Sequence, residues 1–144
     1  MKRALLVVGV AVALGAASTG AAHARGAAFV TFLTPSGNIG CGYSSGMGPR
    51  SLRCDIKSGL KPRPTRPKGC RNLAWGDSYT MNVRGRPVLT CHGDTAIIPG
   101  SKVIAYGTTW SRGGFKCWSR TTGLTCKNAS HHGWFLSRRH SYRS

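Results

Sequence analysis

Apolar and polar residues alternate along most of this chain, and the alternation has the two-residue period of β-strands. The clearest case is residues 115–128, where two alternating runs flank a turn that contains Gly123. If Cys117 pairs with Cys126 across this hairpin, one face is apolar and carries the disulfide, whereas the other face is basic. The residues predicted on the basic face are Lys116, Trp118, Arg120 and Lys127.

Two earlier stretches, residues 39–43 and 52–56, repeat this plan, and each places a cysteine among its apolar positions. Further short β-prone runs are separated by turns rich in glycine and proline; they cover residues 28–33, 79–83, 87–91, 103–106 and 134–136. No segment has a convincing helical period. The pattern predicts an all-β fold, which we expect to be a small disulfide-stapled barrel or sandwich of about eight or nine short strands.

The first 24 residues follow a different pattern. Lys2 and Arg3 precede an apolar run that ends near Ala17, and small residues ending at Ala24 follow it. This order is typical of a secretory signal peptide with its cleavage site. We therefore expect a signal peptide over residues 1–24 and a single secreted, extracellular all-β domain over residues 25–144. We expect no transmembrane segment after signal removal, because no apolar run is long enough to span a bilayer.

The cysteine content favours disulfides over metal binding. An even number of cysteines in a secreted chain indicates three disulfides, although fifteen pairings are formally open. No C-x-x-C motif occurs, so we expect neither a zinc site nor a cofactor. Each neighbouring pair brackets a hairpin-like unit, and the expected pairing is therefore sequential. The pairs are Cys41–Cys54, Cys70–Cys91 and Cys117–Cys126.

The charge balance is strongly basic, with 21 lysines and arginines against three aspartates and no glutamate. Removing Lys2 and Arg3 with the signal still leaves 19 basic residues. Such a field attracts nucleic acid, anionic membranes or acidic wall polymers. The competing interpretation is that scattered charge serves solubility and reflects an arginine-rich composition. A two-carboxylate glycosidase is disfavoured, because the three aspartates lie far apart in the sequence.

The basic hairpin face leads to our main functional hypothesis, a non-enzymatic module that binds an anionic polymer. The partner would be a polymer of the cell envelope or a nucleic acid. Lys116, Arg120 and Lys127 would neutralise phosphates or carboxylates, while Trp118 would offer a surface for stacking. The basic pair at residues 138–139 would extend this patch if the tail folds back.

The alternative hypothesis is a small secreted phosphodiesterase or nuclease. It would use His92 and His132 as acid and base, with Asp94 nearby and Lys116 or Lys127 stabilising charge. The same two histidines and Asp94 are also a conceivable metal set. Both ideas require the histidines to meet in space, and the competing interpretation gives Asp94 a turn-capping role and the histidines a packing role. No nucleophile–base–orienter set is recognisable, so the sequence favours binding over catalysis. Size and disulfides alone also admit a protease inhibitor.

Several blocks in order resemble a family of small secreted bacterial domains of unknown function, typical of high-GC Gram-positive organisms. The blocks are N-I-G-C at 38–41, R-C-D-I at 53–56, C-H-G-D-T at 91–95, T-G-L-T-C at 122–126 and H-G-W-F-L-S-R at 132–138. The resemblance covers about residues 29–139. It implies secretion, a single domain and a binding or structural role, and it assigns no catalytic residue.

Overall fold

The computed structural model describes residues 26–144, so the predicted signal peptide lies outside the described residues. Strands and connecting turns make up the described part, which contains no helix. The strands are Ala28–Leu33 (β1), Ile39–Ser45 (β2), Ser51–Ile56 (β3), Ser78–Asn82 (β4), Val88–Leu89 (β5), Lys102–Val103 (β6), Thr109–Arg112 (β7), Phe115–Arg120 (β8), Gly123–Lys127 (β9), Gly133–Leu136 (β10) and Ser141–Arg143 (β11). Within residues 26–144 no helix is long and apolar enough to cross a membrane.

Two sheets pack face to face, which confirms the all-β prediction and selects the sandwich over the barrel. The first sheet has the strand order β5-β4-β3-β2-β1-β6, and the second has the order β11-β10-β9-β8-β7. Consecutive strands pair antiparallel in both sheets, apart from β6, which returns to pair parallel with β1. Each sheet is therefore a meander, and the buried sides of the two meanders form one core.

The strand count is eleven among the described residues, higher than the eight or nine predicted. The difference lies at the sheet edges, where β7 and β11 contain mostly polar residues and show weak alternation. Edge strands bury little side-chain surface, so sequence patterning marks them poorly. The predicted runs at residues 87–91 and 103–106 contribute only the two-residue strands β5 and β6.

The disulfides join the three sequential pairs that the hairpin argument favours. Cys41 faces Cys54 across β2 and β3, and Cys117 faces Cys126 across β8 and β9. The sulfurs of Cys41, Cys54 and Cys126 lie within 4.8 Å of one another, so the two disulfides contact each other between the sheets. Because all three are disulfide-bonded, this cluster is a packing contact at the centre of the core.

The segment of residues 90–101 crosses the outer face of the first sheet before it delivers β6 beside β1; we call it the covering segment. Hydroxyl pairs tie its two ends to the sheet, Thr90 to Thr80 and Ser101 to Thr31. Its middle lies directly on Gly40, where a Cβ would come within 2.6 Å of the Ile97 Cα. Only a glycine in β2 permits so close an approach.

Candidate functional site

The β8–β9 hairpin divides its side chains as strand parity predicts. Phe115, Cys117 and Ser119 of β8 are buried, whereas Lys116 and Arg120 are exposed and Trp118 is half-buried. In β9 the buried residues are Leu124 and Cys126, and Lys127 is half-buried. The four predicted binding residues therefore lie on the outer face of the second sheet.

Two lysines lie directly opposite each other on this face. Lys116 and Lys127 are partners in the β8–β9 register, and like charges in that position repel. The Lys116 ammonium lies 5.2 Å from the centre of the Trp118 ring, within cation–π range. The pair of cations beside one indole is thus an arrangement that an anion would stabilise.

The outer face also carries two aromatic residues that sequence reasoning missed. Trp118 pairs with Thr125, Thr125 with Phe135, and Phe135 with Tyr142, so these four residues form one row across β8 to β11. We call them the aromatic row. The Phe135 and Tyr142 rings stack with centres 5.4 Å apart. Four strands at about 4.8 Å spacing give the row a length of roughly 14 Å.

The two-residue alternation of a β-strand, applied to residues 134–136, predicts the face on which Phe135 lies. Trp134 and Leu136 are buried on the inner side, which leaves Phe135 on the opposite face. Tyr142 had no such signal, because β11 is a short strand within the basic tail. Its place in the aromatic row depends on the pairing of β11 with β10.

The other three tryptophans are placed differently. Trp134 is buried in the core and Trp110 packs on Phe32 with ring centres 4.8 Å apart. Trp75 is half-buried in the loop before β4, beneath the Arg63 guanidinium at 4.4 Å. Trp118 is therefore the tryptophan that belongs to the basic sheet face.

The part of the chain that builds the second sheet has no acidic side chain. Residues 105–144 contain seven lysines and arginines and neither aspartate nor glutamate. The three aspartates of the sequence are Asp55, Asp77 and Asp94, and all of them contact residues of the first sheet or its connections. The cations around the aromatic row are therefore left without an internal carboxylate side chain.

One end of the aromatic face continues into a cleft of about 590 Å³. The cleft lies where the β1–β2, β8–β9 and β10–β11 turns meet, and Tyr106 from the β6–β7 connection lines it as well. We call it the arginine cleft. Its lining residues include Arg120, Arg138, Arg139, His140, Tyr106 and Phe135. The tail thus folds back, and it brings residues 138–139 to the same site as Arg120.

Ser137 fixes the turn that carries the arginine pair. Its hydroxyl donates to the His140 carbonyl at 2.8 Å and accepts from the Arg139 and His140 amides. The His140 ring rests against Phe135 with centres 5.5 Å apart. A Cβ at Gly123 would lie 2.6 Å from the Phe135 ring, so glycine is needed where the β8–β9 turn meets that ring.

Arg53 and Asp55, the charged residues of β3, belong to one hydrogen-bonded network. Arg53 donates two hydrogen bonds to Asp55, one to each carboxylate oxygen, both at 2.8 Å. Asp55 is 1% exposed and also accepts from the Ser78 hydroxyl at 2.6 Å and the Ala96 amide at 2.7 Å. A buried carboxylate with several donors fixes the covering segment to β3 and β4.

Asp94 belongs to the same network from its exposed side. Arg53 donates to its carboxylate at 2.6 Å, and this hydrogen bond lowers the pKa of Asp94 below its ordinary value. Burial by itself lowers the pKa of Arg53, but the hydrogen bonds to Asp55 and Asp94 outweigh burial and raise it. Asp94 is therefore a partner of Arg53 at the sheet surface.

The two histidines of the enzymatic hypothesis have separate surroundings. His92 is buried, and both ring nitrogens are engaged, Nε2 by the Asp77 carboxylate at 2.9 Å and Nδ1 by the Asp94 carbonyl. His132 lies in the β9–β10 connection, where its backbone pairs with Asn128. No hydrogen bond or ion pair between described residues links the two rings, and neither residue lines the arginine cleft.

A family model described as a family of unknown function (DUF6636) matches residues 5–143 of the chain. No curated protein matches at a significant level, nor does any solved structure.

Proposed function

Because the chain belongs to this family of unknown function, we propose from its geometry that the domain is a binding module for an anionic polymer. The ligand lies on the outer face of the second sheet, along the aromatic row. One observation carries the proposal. Trp118, Phe135 and Tyr142 share a row between Lys116 and Lys127 on one side and Arg120 on the other, in a region without acidic side chains.

The chemistry of this face suits a polymer that alternates rings and anions. Trp118 and Tyr142 present ring surfaces to bases or sugars, and such stacking tolerates different ring types. Lys116 and Lys127 form a pair of cations two register positions from Trp118, where phosphates flanking a stacked ring would lie. The polymer is a nucleic acid or an anionic polymer of the cell envelope, and the same contacts serve both.

Secretion is part of the proposal. The predicted signal peptide over residues 1–24 would take the domain out of the cell, where three disulfides persist. An extracellular position places the basic face among envelope polymers and released nucleic acid. Export is checked directly by locating the mature chain, whose N-terminus should be Arg25.

A phosphodiesterase gains less support from the geometry. Acid–base cleavage needs one group that accepts a proton and another that donates it at the same phosphate. His92 directs both ring nitrogens at other residues of the chain. A binding role uses residues that are exposed or half-buried on the outer face of the second sheet, and it needs no rearrangement of His92.

The test compares Trp118→Ala with Trp75→Ala, since each removes one half-buried indole beneath a cation without changing charge. Binding of single-stranded DNA and of a purified anionic envelope polymer is measured at several salt concentrations. We expect Trp118→Ala to weaken binding by about 1–3 kcal/mol, the usual contribution of one stacked base. Trp75→Ala should bind as the wild type does.

Wild-type affinity should fall linearly on a log–log plot against salt, because bound phosphates release counterions. Equal binding by wild type and both variants at every salt concentration would defeat the stacking site and leave only diffuse charge attraction.

A further inference from the structure

The arginine cleft is a second binding element, chemically unlike the open face beside it. It is concave, and its volume of about 590 Å³ lies in the range of about 300–1,000 Å³ that small-ligand pockets occupy. Three guanidinium-bearing residues line it, and no aspartate or glutamate does. Arg120, Arg138 and Arg139 donate no side-chain hydrogen bond to any residue from 26 to 144, whereas Arg53 and Arg66 do.

Turn geometry does not explain the arginines. Two-residue hairpin turns favour glycine or asparagine because these tolerate positive φ. Arg138 and Arg139 occupy the two central positions between Ser137 and His140, and neither has positive φ. Ser137 holds this turn through its hydroxyl, so two adjacent guanidinium groups stand on a rigid support. Since the turn would form with uncharged residues, the arginine pair calls for another explanation.

The rest of the lining is suited to a polyhydroxylated ring. The Phe135 and Tyr106 rings supply apolar surface, and Thr121 and Thr122 supply exposed hydroxyl groups. The planar guanidinium group of arginine has parallel N–H donors that match the oxygens of a phosphate, and it binds phosphate through paired charge-assisted hydrogen bonds. Rings and hydroxyls would contact the carrier of that phosphate.

We propose that the arginine cleft binds a phosphomonoester carried on a sugar or polyol. The inference rests on the proposed function in one respect: Arg120 lies on both the open face and the cleft wall, so a polymer on the aromatic row would place its phosphorylated end in the cleft. The cleft would then orient a polymer end, while the face holds the chain behind it. A free sugar phosphate offers the same chemistry.

The experiment uses two single-stranded DNA oligonucleotides of one sequence, which differ only in a terminal 5′-phosphate, and glucose 6-phosphate as the free ligand. Wild-type protein should bind the phosphorylated oligonucleotide about tenfold more tightly, as expected for one charge-assisted contact set. Arg138→Ala/Arg139→Ala should abolish that ratio and the binding of glucose 6-phosphate. The matched control is Arg84→Ala/Arg86→Ala, which removes the same charge from the exposed β4–β5 turn and should keep the ratio.

Arg138→Lys/Arg139→Lys provides a second variant that retains charge and loses the planar forks. It should bind glucose 6-phosphate less tightly than the wild type and more tightly than the alanine pair. The proposed phosphate site would be wrong if wild-type protein bound the two oligonucleotides with nearly equal affinity. It would also be wrong if Arg138→Ala/Arg139→Ala and its control lost affinity equally. Trp118→Ala should weaken both oligonucleotides and leave the ratio unchanged. If glucose 6-phosphate binds while neither oligonucleotide does, the polymer proposal fails and the cleft stands.

Discussion

The covering segment crosses the outer face of the first sheet, whereas the outer face of the second sheet is open along its aromatic row. On the first sheet Arg53 donates hydrogen bonds to Asp55 and Asp94, and Asp55 accepts another from the Ala96 amide. These hydrogen bonds attach the covering segment to the sheet. On the second sheet Lys116 faces Lys127 with no acidic side chain in residues 105–144. The cations of the two faces therefore differ in what they contact, because Arg53 has carboxylate partners within the chain and Lys116 and Lys127 have none among the described residues.

The difference shows how to read a chain with a large excess of basic residues. Its few carboxylates identify the cations that serve the fold, since a buried charge must be paired. Asp55 and Asp94 identify Arg53 in this way. Cations with neither a carboxylate nor a hydrogen-bonded carbonyl partner among residues 26–144 are candidates for binding external anions, and those on concave or aromatic surfaces are the most informative. Three substitutions test this division.

Asp55→Ala should have the largest effect. It leaves Arg53 without its main partner and the Ala96 amide without an acceptor. Breaking a buried ion pair costs about 3–5 kcal/mol of unfolding free energy, and urea denaturation measures it. Lys116→Ala, on the open face, should change that free energy by no more than about 0.5 kcal/mol. Equal losses for the two variants would contradict the division between a structural face and a binding face.

Asp94→Asn should have a smaller, pH-dependent effect. The Arg53 hydrogen bond lowers the pKa of folded Asp94 below its ordinary value of 3.8, so the ionised form stabilises the fold. This contribution is present above the unfolded pKa and is lost as the pH falls through the folded value. Because Asp94 is 81% exposed, solvent limits the loss in Asp94→Asn to about 0.2–1 kcal/mol at pH 6.

Urea denaturation of wild type and Asp94→Asn at pH 6 and pH 2 checks the sign. The gap between the two proteins should narrow at pH 2. A gap that widens on acidification would show that the ionised Asp94 does not stabilise the fold.

Lys127→Gln should have the smallest effect on stability, with the opposite sign. It removes the repulsion from Lys116 across the strands, so unfolding free energy should rise by a few tenths of a kcal/mol, about the lower end for such pairs. At the same time the salt dependence of single-stranded DNA binding should become shallower by about 0.7 in log–log slope. Lys102→Gln, at the edge of the first sheet, should leave that slope unchanged. If the log–log salt dependence of DNA binding became shallower in both Lys127→Gln and Lys102→Gln, positive charge would promote binding regardless of its position on the surface.

Local alternation was sufficient for the β8–β9 hairpin. A strand places successive side chains on opposite faces, and the buried cysteines define which face is inside. Lys116, Trp118, Arg120 and Lys127 could therefore be placed on one surface from residues 115–128 alone. Cys41–Cys54 and Cys117–Cys126 followed from the same local argument, because directly facing strand positions come close enough to join. Cys70–Cys91 joins two residues outside the strands.

The aromatic row and the arginine cleft depended on the order and register of strands from different parts of the chain. Phe135 joins Trp118 only through Thr125 of the intervening β9, and Tyr142 only because β11 pairs at the edge. Arg138 and Arg139 meet Arg120 because the β8–β9 and β10–β11 turns lie at the same end of the sandwich. Alternation decides on which side of its own strand a residue lies, and it carries no information about which strand lies beside it. The amino-acid sequence by itself thus determined the all-β class, the sides of the strands and the basic hairpin face, whereas the tertiary pairing decided which rings and cations form one site.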